Sequence, residues 1–218
     1  MSDNIPIETT EAITNNSMQY TDIAANIINS VYLKKKKRDI WMNSKWKHIA
    51  ELGCDEVGKT GELIISEWCK TCNIESMVDG QQTKKIGGGN GDGTIKKKDI
   101  EIKTARLGTT NEIFQHELGE KPWNPKYMIF LDIAPEIMYI TIFPNFSQDF
   151  YQSSGRDSHI KCKPYFPTKS ITWRKQSGAF KLDTSININK NNKYTISINP
   201  TSKDDIDTFR NFVNASIP

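Results

Sequence analysis

The stretch "GDGTIKKKDIEIKTA", residues 91–105, decides how the chain is read. From Asp99 to Lys103 charged and apolar residues alternate one by one, the period of a strand with one buried face. Ile100 and Ile102 then point into a core, while Glu101 and Lys103 share the opposite face. The flanking glycines and the lysine run predict two short strands joined by a tight turn near Lys97-Lys98. That reversal brings Asp92 onto the neighbouring strand, close to Glu101. Two carboxylates and one ammonium are thereby expected together on a strand anchored from behind.

Downstream the strand period persists. "KYMIFLDIA" and "IMYITIF" read as a hairpin around Pro135-Glu136, its first strand apolar enough to be buried. "SITWRKQ", "FKLDTSI" and "KYTISIN" add further strands. Upstream the period is helical. Tyr20, Ile23, Ala24, Ile27, Ile28, Val31 and Tyr32 recur at three-and-four spacing. "GELIISEWCKTC" reads as a second helix with Ile64, Ile65, Trp68 and Cys72 on one side. "SKDDIDTFRNFV" reads as a last helix, with Ser202 as cap and Ile206, Phe209 and Val213 inward. Helices, then strands, then a helix predict an α/β (α+β) fold: a mixed central sheet flanked by helices, with additional C-terminal strands. Residues 1–17 are expected to form a loose arm, and 18–218 a single domain.

Composition is compatible with that architecture. Of 218 residues, 36% are hydrophobic and 25% charged, the mixture of a globular chain. Four cysteines, and the lack of a cationic start followed by an apolar signal core, predict a reducing cytoplasm. "YMIFLDIA" is too short for a membrane span and carries Asp132. The net charge of +3 is small but unevenly placed. Between Asp157 and Asp183 there is no carboxylate, while Lys161, Lys163, Lys169, Arg174, Lys175 and Lys181 alternate with Tyr165, Phe166, Trp173 and Phe180. Cations among aromatics suit a phosphate backbone, though a solvated face over core aromatics has the same composition.

A competing motif lies at residues 53–60, where "GCDEVGKT" matches the phosphate-loop pattern G-x-x-x-x-G-K-[ST]. A nucleotide hydrolase built on Gly53–Thr60 could take a magnesium-binding Asp132 from "YMIFLD". Against it, no buried strand precedes the loop, and Asp55 and Glu56 would sit where a triphosphate must bind. The motif is expected to be a turn leading into the helix of Glu62.

The Asp92, Glu101 and Lys103 trio points to phosphodiester hydrolysis. Two carboxylates suit Mg²⁺, a hard cation that prefers oxygen ligands. A bound metal offsets charge on the phosphoryl oxygens, and Lys103 can orient the attacking water. Asp79 and Asp99 remain alternatives to Asp92. If the strand is merely structural, Glu101 and Lys103 are a surface ion pair in a DNA-binding protein without catalysis.

"GDG…DIEIKTA" resembles the hairpin of PD-(D/E)xK nucleases, with Gly91 in place of the proline. "GELIISEW", "FQHELGEKPW" and "PYFPTKSITWRKQSGAFKLDTS" are similar to segments of type II restriction endonucleases, so that the resemblance spans roughly residues 50 to 185. It implies a restriction-endonuclease-like fold in a bacterial cytoplasm. It also implies Mg²⁺, with Mn²⁺ as substitute, and Glu62 as a further acidic residue near the metal. A homodimer cutting a short palindromic site in double-stranded DNA follows from the same likeness, with a DNA methyltransferase as genetic partner. Candidate readers are Arg174 and Lys175 for guanine and Gln176 for adenine, with Gln115 and His116 as a second patch. Lys161, Lys163 and Lys169 are candidates for phosphate. Cys69, Cys72, His159 and Cys162 have zinc-like spacing, but the cysteines are expected to be buried filler.

Overall fold

The computed structural model describes residues 23–31, 39–78, 91–109, 112–119, 125–144, 171–174, 179–200 and 203–218. Residues 40–218 form one compact unit, and residues 1–39 a separate one. In the latter, residues 23–31 are helical (α1), as the apolar spacing predicts. The arm over 1–17 and the cap Ser202 lie outside the described residues.

The compact unit is α/β, with a mixed central sheet. Its strands are β1 (Ser76–Val78), β2 (Gly93–Ile95), β3 (Lys98–Arg106), β5 (Tyr127–Ile133), β6 (Met138–Pro144) and β9 (Thr195–Ile198), in the order β1-β2-β3-β5-β6-β9. Only β3 and β5 run parallel. The intervening β4 (Ile113–Gly119) leaves this sheet and pairs with β8 (Ala179–Ser185), which pairs with β7 (Ile171–Arg174) in a second, antiparallel sheet. The expected C-terminal strands are all present, and β4 is an addition to them.

Strand β5 is buried at every position, because both of its faces are covered. On one face Ile100, Ile102, Ile129, Leu131, Ile140 and Ile142 join a core completed by two helices, α2 (Cys54–Thr71) and α4 (Lys203–Ser216). Helix α2 contributes Val57, Gly61, Ile65 and Cys69, a four-residue repeat that makes one stripe. Helix α4 contributes Phe209 and Val213, followed by Ile217 just past its end, with Phe209 edge-on to Trp68 at 5.5 Å. Gly61 lets α2 approach β3 closely. A Cβ there would stand 1.7 Å from Thr104 Oγ1.

On the other face the ladder register aligns Glu101, Lys103 and Ala105 with Met128, Phe130 and Asp132, and these with Phe143, Thr141 and Tyr139. The second sheet packs here. His116 lies edge-on to Phe130 with ring centroids 4.8 Å apart, and Phe114 edge-on to Tyr139 at 6.2 Å. The polar segment 40–52 is tied across the strand ends: Trp46 Nε1 donates to Ala134 O at 2.8 Å, and Arg106 donates to Ile49 O at 2.8 Å and to Leu52 O. A short helix, α3 (Ile186–Lys190), links β8 to β9 and is capped by Ser185 Oγ, which accepts the Ile188 N–H. Among the described residues no helix is long and apolar enough to cross a membrane.

Candidate functional site

The β2–β3 hairpin turns through Lys96 and Lys97, one residue earlier than the sequence suggests, with Ile95 opposite Lys98 and Gly93 opposite Ile100. Continued by one residue, that register sets Asp92 beside Glu101. The regular ladder stops there. Asp92 N donates to Ile100 O at 2.8 Å, and the Asp92 Oδ2 accepts the Ile102 N–H at 2.7 Å. The carboxylate thus occupies the place where the next peptide of β2 would have bonded.

The two glycines around Asp92 are required by that geometry. Gly91 has φ +83°, and a Cβ on it would lie 2.1 Å from Ile100 O. Gly93 has φ +151°, and a Cβ would lie 2.0 Å from Met77 O. An L side chain at either position would be strained and would collide with backbone. "GDG" is therefore a clamp that fixes one aspartate.

Asp92 is 5% exposed and Glu101 9%. Lys103 Nζ lies 2.8 Å from Glu101 Oε1 and keeps 30% of its side chain exposed. Burial, and then the Glu101 charge, push the Asp92 carboxyl up from 3.8 to about 7; the Ile102 N–H and Lys103 act in the opposite direction. Glu62 adds a smaller upward push from α2, where its carboxylate lies 3.4 Å from Lys59 Nζ. Like charges crowded in a dry place are relieved by a proton or by a cation, and the donors are carboxylate oxygens. That donor set fits Mg²⁺ through Asp92 and Glu101, with remaining positions for water and phosphate. Among the described residues no three His, Cys, Asp or Glu side chains converge on one point, so Glu62 is a neighbour of this pair rather than a third ligand.

Asp99 sits nearer the turn, opposite Thr94. Asp79 lies outside the described residues, as do Lys161, Lys163, Lys169, Lys175 and Gln176. Arg174 ends β7, opposite Ala179. Gln115 is exposed on β4. His116 requires correction. It is 2% exposed, and its Nε2 lies 2.6 Å from Asp132 Oδ1, so it faces the interior and is unavailable to a base edge. The alternation in "IFQHELG" carried that signal, with Phe114, His116 and Leu118 inward and Gln115 and Glu117 outward.

Asp132 is likewise no magnesium ligand for a nucleotide. It is 1% exposed; its Oδ2 accepts from Thr184 Oγ1 at 2.7 Å and from Asn189 Nδ2 at 2.8 Å. This network bolts the second sheet and α3 to β5, and sequence reasoning missed it. The phosphate-loop match also fails on geometry. Gly53 caps α2, its N–H donating to Glu56 Oε2 at 2.7 Å, and Gly58, Lys59 and Thr60 are already helical. The helix starts two turns earlier than the sequence suggests and leaves no loop to cradle phosphate. Asp55 and Glu56 instead serve its N-terminus.

Cys69 is fully buried in the α2 stripe, where burial pushes its thiol up to about 12. Burial also raises Cys72, 4% exposed at the end of the same helix. Both are protonated filler, as expected. His159 and Cys162 lie outside the described residues. No family model, curated protein or solved structure matches this chain.

Proposed function

We propose that the chain is a Mg²⁺-dependent, site-specific endonuclease of double-stranded DNA, a type II enzyme with a PD-(D/E)xK hairpin and a restriction-endonuclease-like fold. The observation that carries the reading is Asp92, held by its two glycines and the Ile102 amide against the Glu101–Lys103 pair. The match of "DIEIK", which contains the same Glu101 and Lys103, to the nuclease pattern agrees with this reading.

In this reading Asp92 and Glu101 hold the cation. Mg²⁺, or Mn²⁺ in its place, would offset the charge developing on the phosphoryl oxygens. Asp92 must lose its proton first, which its raised pKa places near neutrality. Lys103, partly exposed beside Glu101, directs its ammonium to the scissile phosphate and holds the attacking water in line. The rigid β2–β3 pairing keeps these groups in position without reorganisation. A homodimer reading a short palindrome completes the proposal. Arg174, Lys175, Gln176 and Gln115 are its candidate readers, Lys161, Lys163 and Lys169 its phosphate contacts, and a bacterial cytoplasm its setting.

The test is incubation of the purified chain with long duplex DNA, with and without Mg²⁺. Discrete fragments are expected only with the metal. Lys103→Ala should abolish cutting and leave binding largely intact. Cutting by that variant at the parental rate would remove Lys103 from the mechanism. The 2.8 Å Glu101–Lys103 contact also suits a non-catalytic DNA-binding protein, which would shift duplex DNA on a gel and never cut it.

A further inference from the structure

Away from the carboxylates, the turn of the same hairpin forms one wall of a cleft of about 680 Å³. Lys96, Lys97 and Lys98 line it on that side, Arg210 and Asn214 of α4 on another, and Cys72, Asn73 and Ile74 at the end of α2 form its base. Lys96, Lys97, Lys98 and Arg210 line it together with Glu75 and Pro218, and the Glu75 oxygen is 3.9 Å from Lys97 Nζ in a pair more than half exposed on both sides. Screening leaves such a pair weak, so the lysines remain available to a stronger anion.

The cleft is fixed in place. Lys96 N donates to Glu75 O at 2.8 Å, joining the turn to the segment before β1. Arg210 is held by Asp207 at 2.8 Å and donates from Nε to Cys72 O at 3.3 Å, so a cation covers the carbonyl end of α2. The turn residues are anomalous. Lys96 and Lys97 have φ of +50° and +62°, the left-handed pair of a two-residue type I′ turn. Such turns favour Asn-Gly, and long L side chains there cost roughly 1 kcal/mol each. Two lysines sit where local stability asks for neither, and both face the cleft.

We propose that this cleft binds the phosphodiester backbone of nucleic acid, as a second anchoring site on the hairpin that carries Asp92, Glu101 and Lys103. Lys98 lies three residues before Glu101 but shares the helix-covered face of β3 with Ile100, so the cleft is a site separate from the carboxylates on the opposite face. The identity of the anion rests on the nuclease reading; the charge and shape of the cleft do not.

The experiment is fluorescence anisotropy of the full-length chain in EDTA with a short labelled duplex, across a salt series. The parent is compared with the triple variant Lys96→Asn, Lys97→Gly, Lys98→Gln. The variant should bind about tenfold more weakly or worse at low salt, and its slope of log K against log salt should fall by about 2–3. Its melting temperature should equal or exceed the parent's, since Asn-Gly suits the turn, which separates lost binding from lost fold. Unchanged affinity and slope would overturn the proposal. So would displacement of the duplex by millimolar inorganic phosphate, which would make the cleft a free-phosphate site. Cleavage by the parent in Mg²⁺ is scored separately. Cutting with unaltered binding in the triple variant sinks the cleft alone. Binding that depends on the lysines without any cutting supports the cleft and sinks the nuclease.

Discussion

Replacing Asp92 by Asn isolates the electrostatic cost of the site. The Asp92 carboxyl is raised from 3.8 to about 7, by burial first and by Glu101 second. A raised carboxyl stabilises the fold fully below its unfolded pKa, where both states carry the proton. That contribution is lost as pH climbs from about 4 through 7, because the unfolded chain ionises early and the folded one only late. A shift of about 3 units corresponds to roughly 4 kcal/mol. Asn keeps an oxygen for the Ile102 N–H and carries no charge, so its stability lacks this term. The stability gap between variant and parent should therefore widen in favour of Asn by roughly 3–4 kcal/mol between pH 4 and pH 8. At about 2–4 °C per kcal/mol, thermal melts at the two pH values should show the relative midpoint moving by about 6–16 °C. A gap that stays constant across this range would mean that Asp92 is not buried against a second charge, and the site would lose its physical basis.

Mg²⁺ at one hundred times its dissociation constant should raise the parent's stability at pH 8 by about 2.7 kcal/mol and leave Asp92→Asn unmoved; melts with titrated MgCl₂ check this. Gly91→Ala should destabilise by about 2 kcal/mol or more, since a Cβ would meet Ile100 O at 2.1 Å with φ at +83°, and should abolish cutting; denaturant melts and a cleavage assay read both. His116→Ala should cost about 3–5 kcal/mol, because it strips one partner from a carboxylate that is 1% exposed, and denaturant melts of that variant measure it.

Local period and turn chemistry were enough for the hairpin. The alternation around Ile100 and Ile102 and the reversal at the lysines brought Asp92 close to Glu101 on the neighbouring strand, although the turn itself falls one residue earlier. The β5–β6 pairing followed from two apolar runs around Pro135 in the same way. What sequence could not show is set by long-range contacts. Nothing local in "IFQHELG" says that it pairs with residues 179–185 instead of joining the central sheet. Asp132 in an otherwise apolar strand announced a partner without naming it, and His116, Thr184 and Asn189 come from three different elements. The phosphate-loop match misled because its residues build a helix here: Gly53 caps α2, and Gly58 lies inside it with open space where a Cβ would stand.

The β4–β8 ladder pairs Gln115 with Asp183. A ribosome making this chain releases β5, with Phe130 and Asp132, well before the strand that helps cover it. Until residues 179–185 emerge, a nascent chain exposes an oily surface with a buried-type acid in its middle, a target for chaperones and for self-association. Closing that distant ladder is slow in loop entropy. Overproduction at low temperature, with chaperones supplied, should therefore raise the soluble yield more than any change near the carboxylates.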